Sequence, residues 1–305
     1  MTNIIANRSE LVFLYDVKDA NPNGDPLDEN KPRIDEETRV NLVTDVRLKR
    51  TIRDYLHDFK KEEIFIREVR KEDGNLKTKE DKLTDLKLTS ADDLIQKCVD
   101  IRLFGATAAI KNKSIILTGP VQFKFGRSLH RVKLSFVKGT TVMPSAESKK
   151  QGTFTEEYRL PYSLICFYGI INENAAKETK LTEDDVRLLL DGMWNGTKNL
   201  LTRSKAGQVP RLLLKVNYSE NNYHIGDLNN MLKLSLDVPE DEIRDISQIK
   251  LDVTELMNTL GRNKDTIRDI DYRIDDRVKI LCDGEEKPVE DCLNTVGIAT
   301  NVISV

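Results

Sequence analysis

Leu11-Val12-Phe13-Leu14-Tyr15-Asp16-Val17-Lys18-Asp19-Ala20-Asn21-Pro22-Asn23-Gly24-Asp25-Pro26 decides how this chain is read. Its first five residues form an apolar block too short for a helix and rich in strand formers, which predicts a buried strand. The strand must then stop. Two prolines forbid helix, Gly24 permits positive φ, and the Asn and Asp side chains can bond their own backbone, so 21–26 is a built loop. Beyond it the period changes. From Leu42 the spacing predicts a helix with Leu48, Ile52, Tyr55, Leu56 and Phe59 on one face and Arg47, Arg50 and Arg53 stacked on another. Thr44 fits its N-cap and Asp45 its first turn. A strand, a polar loop and a helix with an arginine row make a surface able to hold a phosphate backbone.

Further along, 60–87 is crowded with Lys, Glu and Asp and reads as an exposed, partly mobile insertion. Ser90 followed by Asp93 marks a helix start, and its apolar face runs on to Gly105. Ser114 to Phe125 reads as a strand broken at Gly119-Pro120. The basic arm from Arg127 to Glu157, with Arg127, His130, Arg131, Phe136, Val142 and Met143, is too long for a plain connection. Tyr158 to Ile171 predicts a long strand, Thr182 caps a helix, and Arg203-Ser204-Lys205 with Gly207 precedes a strand from Arg211 to Tyr218. Cation, hydroxyl, cation and glycine suit a loop that hugs a phosphate. With the insertions removed, the order is β-α-β-β-α-β, so the fold class is α+β with a ferredoxin-like, RRM-like core. The last third, from about Ile225, shows short strands and one helix near Val253 to Leu260, with no second site signature.

Composition narrows the chemistry. The 305 residues carry 48 basic and 51 acidic side chains, a net charge of −3, so a nucleic-acid site must be a local patch. With 39% hydrophobic residues, no apolar run of membrane length and no signal-peptide core, a soluble cytoplasmic protein is expected, with no membrane partner. Four scattered cysteines predict reduced thiols rather than disulfides, and three dispersed histidines give no metal site. Asp19-x-Asn21-x-Asn23-Gly24 imitates half of a calcium loop, but Asn30 stands where the bidentate Glu belongs.

Several motifs in one order resemble the RNA-binding backbone subunits of CRISPR type I Cascade complexes, most closely the type I-B members of this RAMP superfamily. They are Ala20 to Pro26, Asp45-Val46-Arg47-Leu48-Lys49-Arg50-Thr51-Ile52-Arg53-Asp54, Asp100-Ile101-Arg102-Leu103-Phe104-Gly105-Ala106, Gly119-Pro120-Val121-Gln122 and Arg203-Ser204-Lys205. The resemblance implies a palm from 1–59, 88–126 and 158–224, a finger insertion at 60–87, a thumb at 127–157 and a C-terminal extension, 225–305, packed on the palm. It also implies a non-enzymatic, antiviral-defence role without cofactor or metal. Copies would polymerise along the crRNA, supporting target DNA recognition beside the cap subunit at the crRNA 5′ end, the large subunit and the small subunits. Expected RNA contacts are Asn21, Asn23, Arg47, Lys49, Arg50, Arg53, Arg127, His130, Arg131, Arg203, Ser204 and Lys205, with Phe136, Val142 and Met143 at the thumb tip. Ordinary RRM aromatic motifs are not evident, so stacking of bases on the sheet is not expected. A second class stays open, since type III backbone subunits cut RNA with an acid after the first strand, where this chain has Asp16, Asp19 and Asp25. A small-molecule enzyme on the same fold has no pocket signature to support it.

Overall fold

The computed structural model describes residues 3–110, 113–140 and 154–304. Nine strands build its central sheet: β1 (Ser9–Ala20), β2 (Val40–Val43), β3 (Val121–Phe123), β4 (Gly126–Arg131), β5 (Ser135–Thr140), β6 (Phe154–Ile171), β7 (Val209–Tyr218), β8 (Ile267–Ile274) and β9 (Thr300–Val302). The order is β9-β8-β7-β1-β6-β4-β2, with β3 and β5 also pairing along the 18-residue β6. The chain is thus a mixed α+β protein with β1 near the centre, antiparallel to both neighbours: Phe13 stands opposite Phe167 on one side and Leu213 on the other.

The unbroken apolar run of β1 has a simple cause, because both faces of the sheet are covered. Leu11, Phe13, Tyr15 and Val17 enter one core with the helices α1 (Asp45–Lys60) and α4 (Glu183–Lys198). Val12 and Leu14 enter a second, closed by residues of the C-terminal third such as Leu256, Leu260 and Leu293. That third forms its own four-stranded sheet, including Lys233–Leu236, Ile249–Asp252 and Lys279–Cys282. It also supplies β8 and β9.

Thr44 and Thr182 cap α1 and α4, and Thr182 forms a capping box with Asp185. Glycine costs α4 about 1 kcal/mol per position relative to alanine. Two are nonetheless placed on its inner face: a Cβ on Gly192 would stand 2.9 Å from Ile52, and one on Gly196 3.0 Å from Tyr55. The glycines let α1 and α4 approach closely.

Four expectations need correction. The helical pattern does not begin at Leu42, because Val40–Val43 is the edge strand β2 and α1 starts at Asp45. The face following Ser90 is two helices, α2 (Ala91–Lys97) and α3 (Val99–Phe104), since Cys98 between them is extended. Segment 60–87, although largely exposed, is anchored: its Phe65 and Leu83 join Leu88, Leu94, Ile95, Cys98 and Ile101 in a third apolar cluster. Finally, Arg127 to Glu157 is not one long arm, as its first five residues lie in β4 and Ser135–Thr140 pairs with the start of β6.

His130, expected at RNA, has a structural task. It is 2% exposed, accepts the Leu164 N–H at Nε2 (3.1 Å), donates from Nδ1 to the Arg131 carbonyl and stacks on Tyr162. Burial holds its pKa below the ordinary 6.5, so the folded chain binds that proton less tightly than the unfolded one. The stabilisation is therefore complete above 6.5 and is lost as pH falls below it. Urea midpoints at neutral and mildly acid pH are expected to drop further for the wild type than for His130→Gln; equal drops would refute this role.

Candidate nucleic-acid interface

Two loops and one helix end meet at the edge of the first core. The Asn21 N–H donates to the Ser204 carbonyl at 2.8 Å, tying the loop after β1 to the loop before β7. Asn23 Oδ1 accepts from both the N–H (2.9 Å) and the hydroxyl (2.8 Å) of Thr44, fixing the start of α1 against the same loop. In the first turn of α1, Arg47 comes within electrostatic reach of Tyr15. Among the described residues its only hydrogen bond from the guanidinium goes to the Thr51 hydroxyl, 3.0 Å away, and Nε is buried without a partner.

Lys205 lies beside it. Burial, reinforced by the Arg47 charge, lowers the Lys205 pKa; burial likewise lowers Arg47, with Asp54 opposing and Arg50 adding to the effect. Lys205 bonds only Ser204 Oγ, at 3.4 Å, and neither cation has a carboxylate at salt-bridge distance among the described residues. Two half-buried like charges side by side are costly unless an anion joins them. Nearby, Gln208 is 5% exposed and its Nε2 also lacks a partner. Gln208 directly precedes β7, in which Pro210 stands opposite Tyr15. Arg47 Nε and Gln208 Nε2 are thus buried donors without a partner, and Lys205 stands beside Arg47.

The remaining predicted residues are distributed differently. Arg203 is exposed and paired with Glu157, which also holds Arg159. Arg50 is exposed but clasped by Asp54 one turn along α1 (2.8 Å). Lys49 is buried, bonding Asp45 (3.0 Å) and Gln122 (3.4 Å). Arg53 turns inward to Asp100, whose carboxylate is fully buried. Arg127 and Arg131 lie on β4, facing Asp35 and Glu240. Phe136 is 44% exposed on β5 and packs against Tyr158 with ring centroids 4.9 Å apart; Val142 and Met143 lie outside the described residues. Sequence reasoning missed Tyr15 and Gln208. Gln208 follows the Arg203 to Gly207 loop directly, and a polar residue wedged between that loop and an apolar strand was the available signal.

Of the three carboxylates expected after the first strand, Asp16 and Asp19 instead lie within it, because β1 runs on to Ala20, and Asp16 is buried between Arg211 (2.8 Å) and Tyr162 (2.8 Å). Burial raises its pKa, with Arg211 opposing. Asp25 holds Arg33, and Asp19 offers its carbonyl to Arg159. The described residues contain no group of three or more His, Cys, Asp or Glu able to hold a metal ion.

Arg47 and Lys205 thus stand together at one edge of a mixed α+β sheet protein. Residues 7–254 match the family model of the CRISPR-associated protein Cas7. Over 90% of its length the chain is 36% identical to the CRISPR-associated protein Cas7 of Haloferax volcanii, covering 88% of that protein. The chain belongs to the Cas7 family. Its fold is similar to a chain of a CRISPR RNA-guided surveillance complex in a pre-nicking state (TM-score 0.55, 11% identity, covering 95% of this chain and 99% of that one). A second chain, from a CRISPR RNA-guided surveillance complex, aligns with a TM-score of 0.51 at 13% identity, covering 95% and 98%.

Proposed function

We propose that this protein is a crRNA-binding backbone subunit of a type I, and specifically type I-B, Cascade surveillance complex, polymerising on the guide and acting without catalysis of its own. The observation that carries this reading is the Arg47 and Lys205 pair, two half-buried cations with no carboxylate at salt-bridge distance among the described residues, together with the unpartnered Gln208 amide a few residues after Lys205. A phosphodiester would satisfy all three, and phosphate contacts bind any guide sequence alike. Family membership and the likeness to surveillance-complex chains support the same partners: crRNA, target DNA, further copies and the other Cascade subunits. A net charge of −3 suits a chain that needs one basic groove and complementary surfaces elsewhere. The absence of a membrane-length apolar helix among the described residues fits work in the cytoplasm.

The strand order supports a ferredoxin-like palm. β6 lies between β1 and β3, and β1 lies between β6 and β7, which is how two split βαβ units interlock. We read 60–87 as fingers, 127–157 as a thumb whose hairpin presents Phe136, and 225–305 as the extension on the palm. With the second face of the sheet closed by that extension, guide bases have no open sheet to stack on, and the guide runs along the loop edge instead.

The test is to incubate purified protein with labelled single-stranded RNA of guide length, with and without magnesium, on native and denaturing gels. Cooperative shifts with intact RNA are expected under both conditions. Fragments appearing only with magnesium would overturn the non-catalytic reading, and no shift at low salt would overturn RNA binding by the chain alone.

A further inference from the structure

Beside the cation pair lies a cavity of about 220 Å³ lined by Asn21, Asn30, Glu157, Tyr158, Arg203 and Ser204 among others. Asn21 is 3% exposed, and its amide orientation is fixed, because Nδ2 donates to the Asn30 carbonyl at 2.6 Å and that carbonyl can only accept. Its Oδ1 then has no partner. The site so far described offers donors to an anion; Asn21 offers the opposite, an acceptor waiting for a donor. A nucleic-acid backbone is rich in acceptors, namely phosphate, O3′, O4′ and O5′. Its one donor is the ribose 2′-hydroxyl, which DNA lacks.

We infer that the cavity takes the sugar next to the phosphate held by Arg47 and Lys205, with its 2′-hydroxyl donating to Asn21 Oδ1, so that this chain selects RNA over DNA at that residue. The inference rests on the guide-binding reading and adds the basis of its sugar selectivity. The base is not needed for it, since donors on the four bases differ in position while the hydroxyl recurs at every nucleotide. Glu157, already held by Arg159 and Arg203, adds a second acceptor to the wall.

The experiment compares the affinity of the full-length wild type for one uridine oligomer made as RNA, as 2′-O-methyl RNA and as its 2′-deoxy form. The methyl ether keeps the oxygen but replaces the donor hydrogen with a methyl group, whereas the deoxy form removes the hydroxyl without adding bulk. RNA is expected to bind about tenfold more tightly than either of the others, the size of one hydrogen bond to a group otherwise left unpaired. In Asn21→Ser the RNA-to-DNA ratio is expected to narrow toward unity. Equal binding of RNA and 2′-O-methyl RNA by the wild type would overturn the assignment while leaving guide binding in place, and this comparison needs no variant to fold. Failure of all three oligomers to bind at low salt would overturn both the assignment and the reading beneath it.

Discussion

Replacing Arg47 and Lys205 together by Glu is expected to abolish measurable binding of single-stranded RNA, a loss of at least about a thousandfold, while the chain stays folded. The magnitude follows from the chemistry of the pair. Each hydrogen bond to a charged group contributes about 1.5–3 kcal/mol, and two introduced carboxylates repel the phosphate those bonds held. The milder Arg47→Gln and Lys205→Gln double variant separates the contact from the repulsion. It is expected to lower the slope of log affinity against log salt by about 1.4, roughly 0.7 for each phosphate contact on a single strand. The weakening should be the same for every RNA sequence. Stability should rise or stay level, because burial disfavours the charge of both cations and the Arg47 charge further disfavours that of Lys205 in the free chain. An unchanged salt slope with retained RNA binding would move the phosphate site elsewhere. Arg50→Gln serves as the comparison: exposed and clasped by Asp54, it is expected to cost far less.

Asp100→Ala is expected to be the most destabilising single change considered, at about 3–5 kcal/mol, the cost of leaving a buried charge unpaired. Asp100 is fully buried. Its Oδ2 accepts from Arg53 Nε at 3.0 Å and from the Ile66 N–H at 3.0 Å, and its Oδ1 accepts from the Phe65 N–H at 2.8 Å. One carboxylate thus joins α1 to α3 and to the segment after α1, with the Arg53 guanidinium lying over the Phe104 ring. Removing it strands Arg53 and two N–H groups together. Adding Arg53→Leu to Asp100→Ala should recover part of the loss, since the stranded cation is then gone and only the two N–H groups remain unmet. Urea unfolding of the three variants decides the matter, and a loss below about 1 kcal/mol for Asp100→Ala would sink this account.

Asp100 also shows where the sequence stopped being readable. Spacing of three placed Arg47, Arg50 and Arg53 on one row of α1, and the row exists. Yet the three side chains have three fates: Arg47 lacks a carboxylate partner, Arg50 is tied within its own helix, and Arg53 is buried against an acid 47 positions away. Helix periodicity reports which face a residue occupies and nothing about what a distant segment brings to that face. The same limit applies to His130, whose neighbours Arg127 and Arg131 made it look like part of a basic arm while β4 alternation turns it inward. Local signals fared better. Thr44, Ser90 and Thr182 were legible as caps because a cap is written within four residues. β1 and β7 were legible as apolar runs. β8 was missed because its buried positions Ile267, Ile270 and Tyr272 do not alternate strictly, the register shifting between Asn217 and Tyr218 opposite its start. The Asn21 to Ser204 contact was legible only as two motifs; that they touch is a property of the sheet.

The dependence of the second core on residues beyond 225 sets a timetable for the newly made chain. Every residue of the cation cluster has left the ribosome once Gln208 has, and when β7 follows, β1, β6 and β7 still expose Val12, Leu14, Leu164 and Leu214 on one side. Their cover, including Leu256, Leu260 and Leu293, is synthesised last, and β9 is the final strand to dock. A nascent chain halted before that point presents a wide apolar sheet, a surface for chaperones and aggregation rather than for a guide. Loading on RNA therefore follows completion of the chain, and fresh subunits join a growing assembly whole.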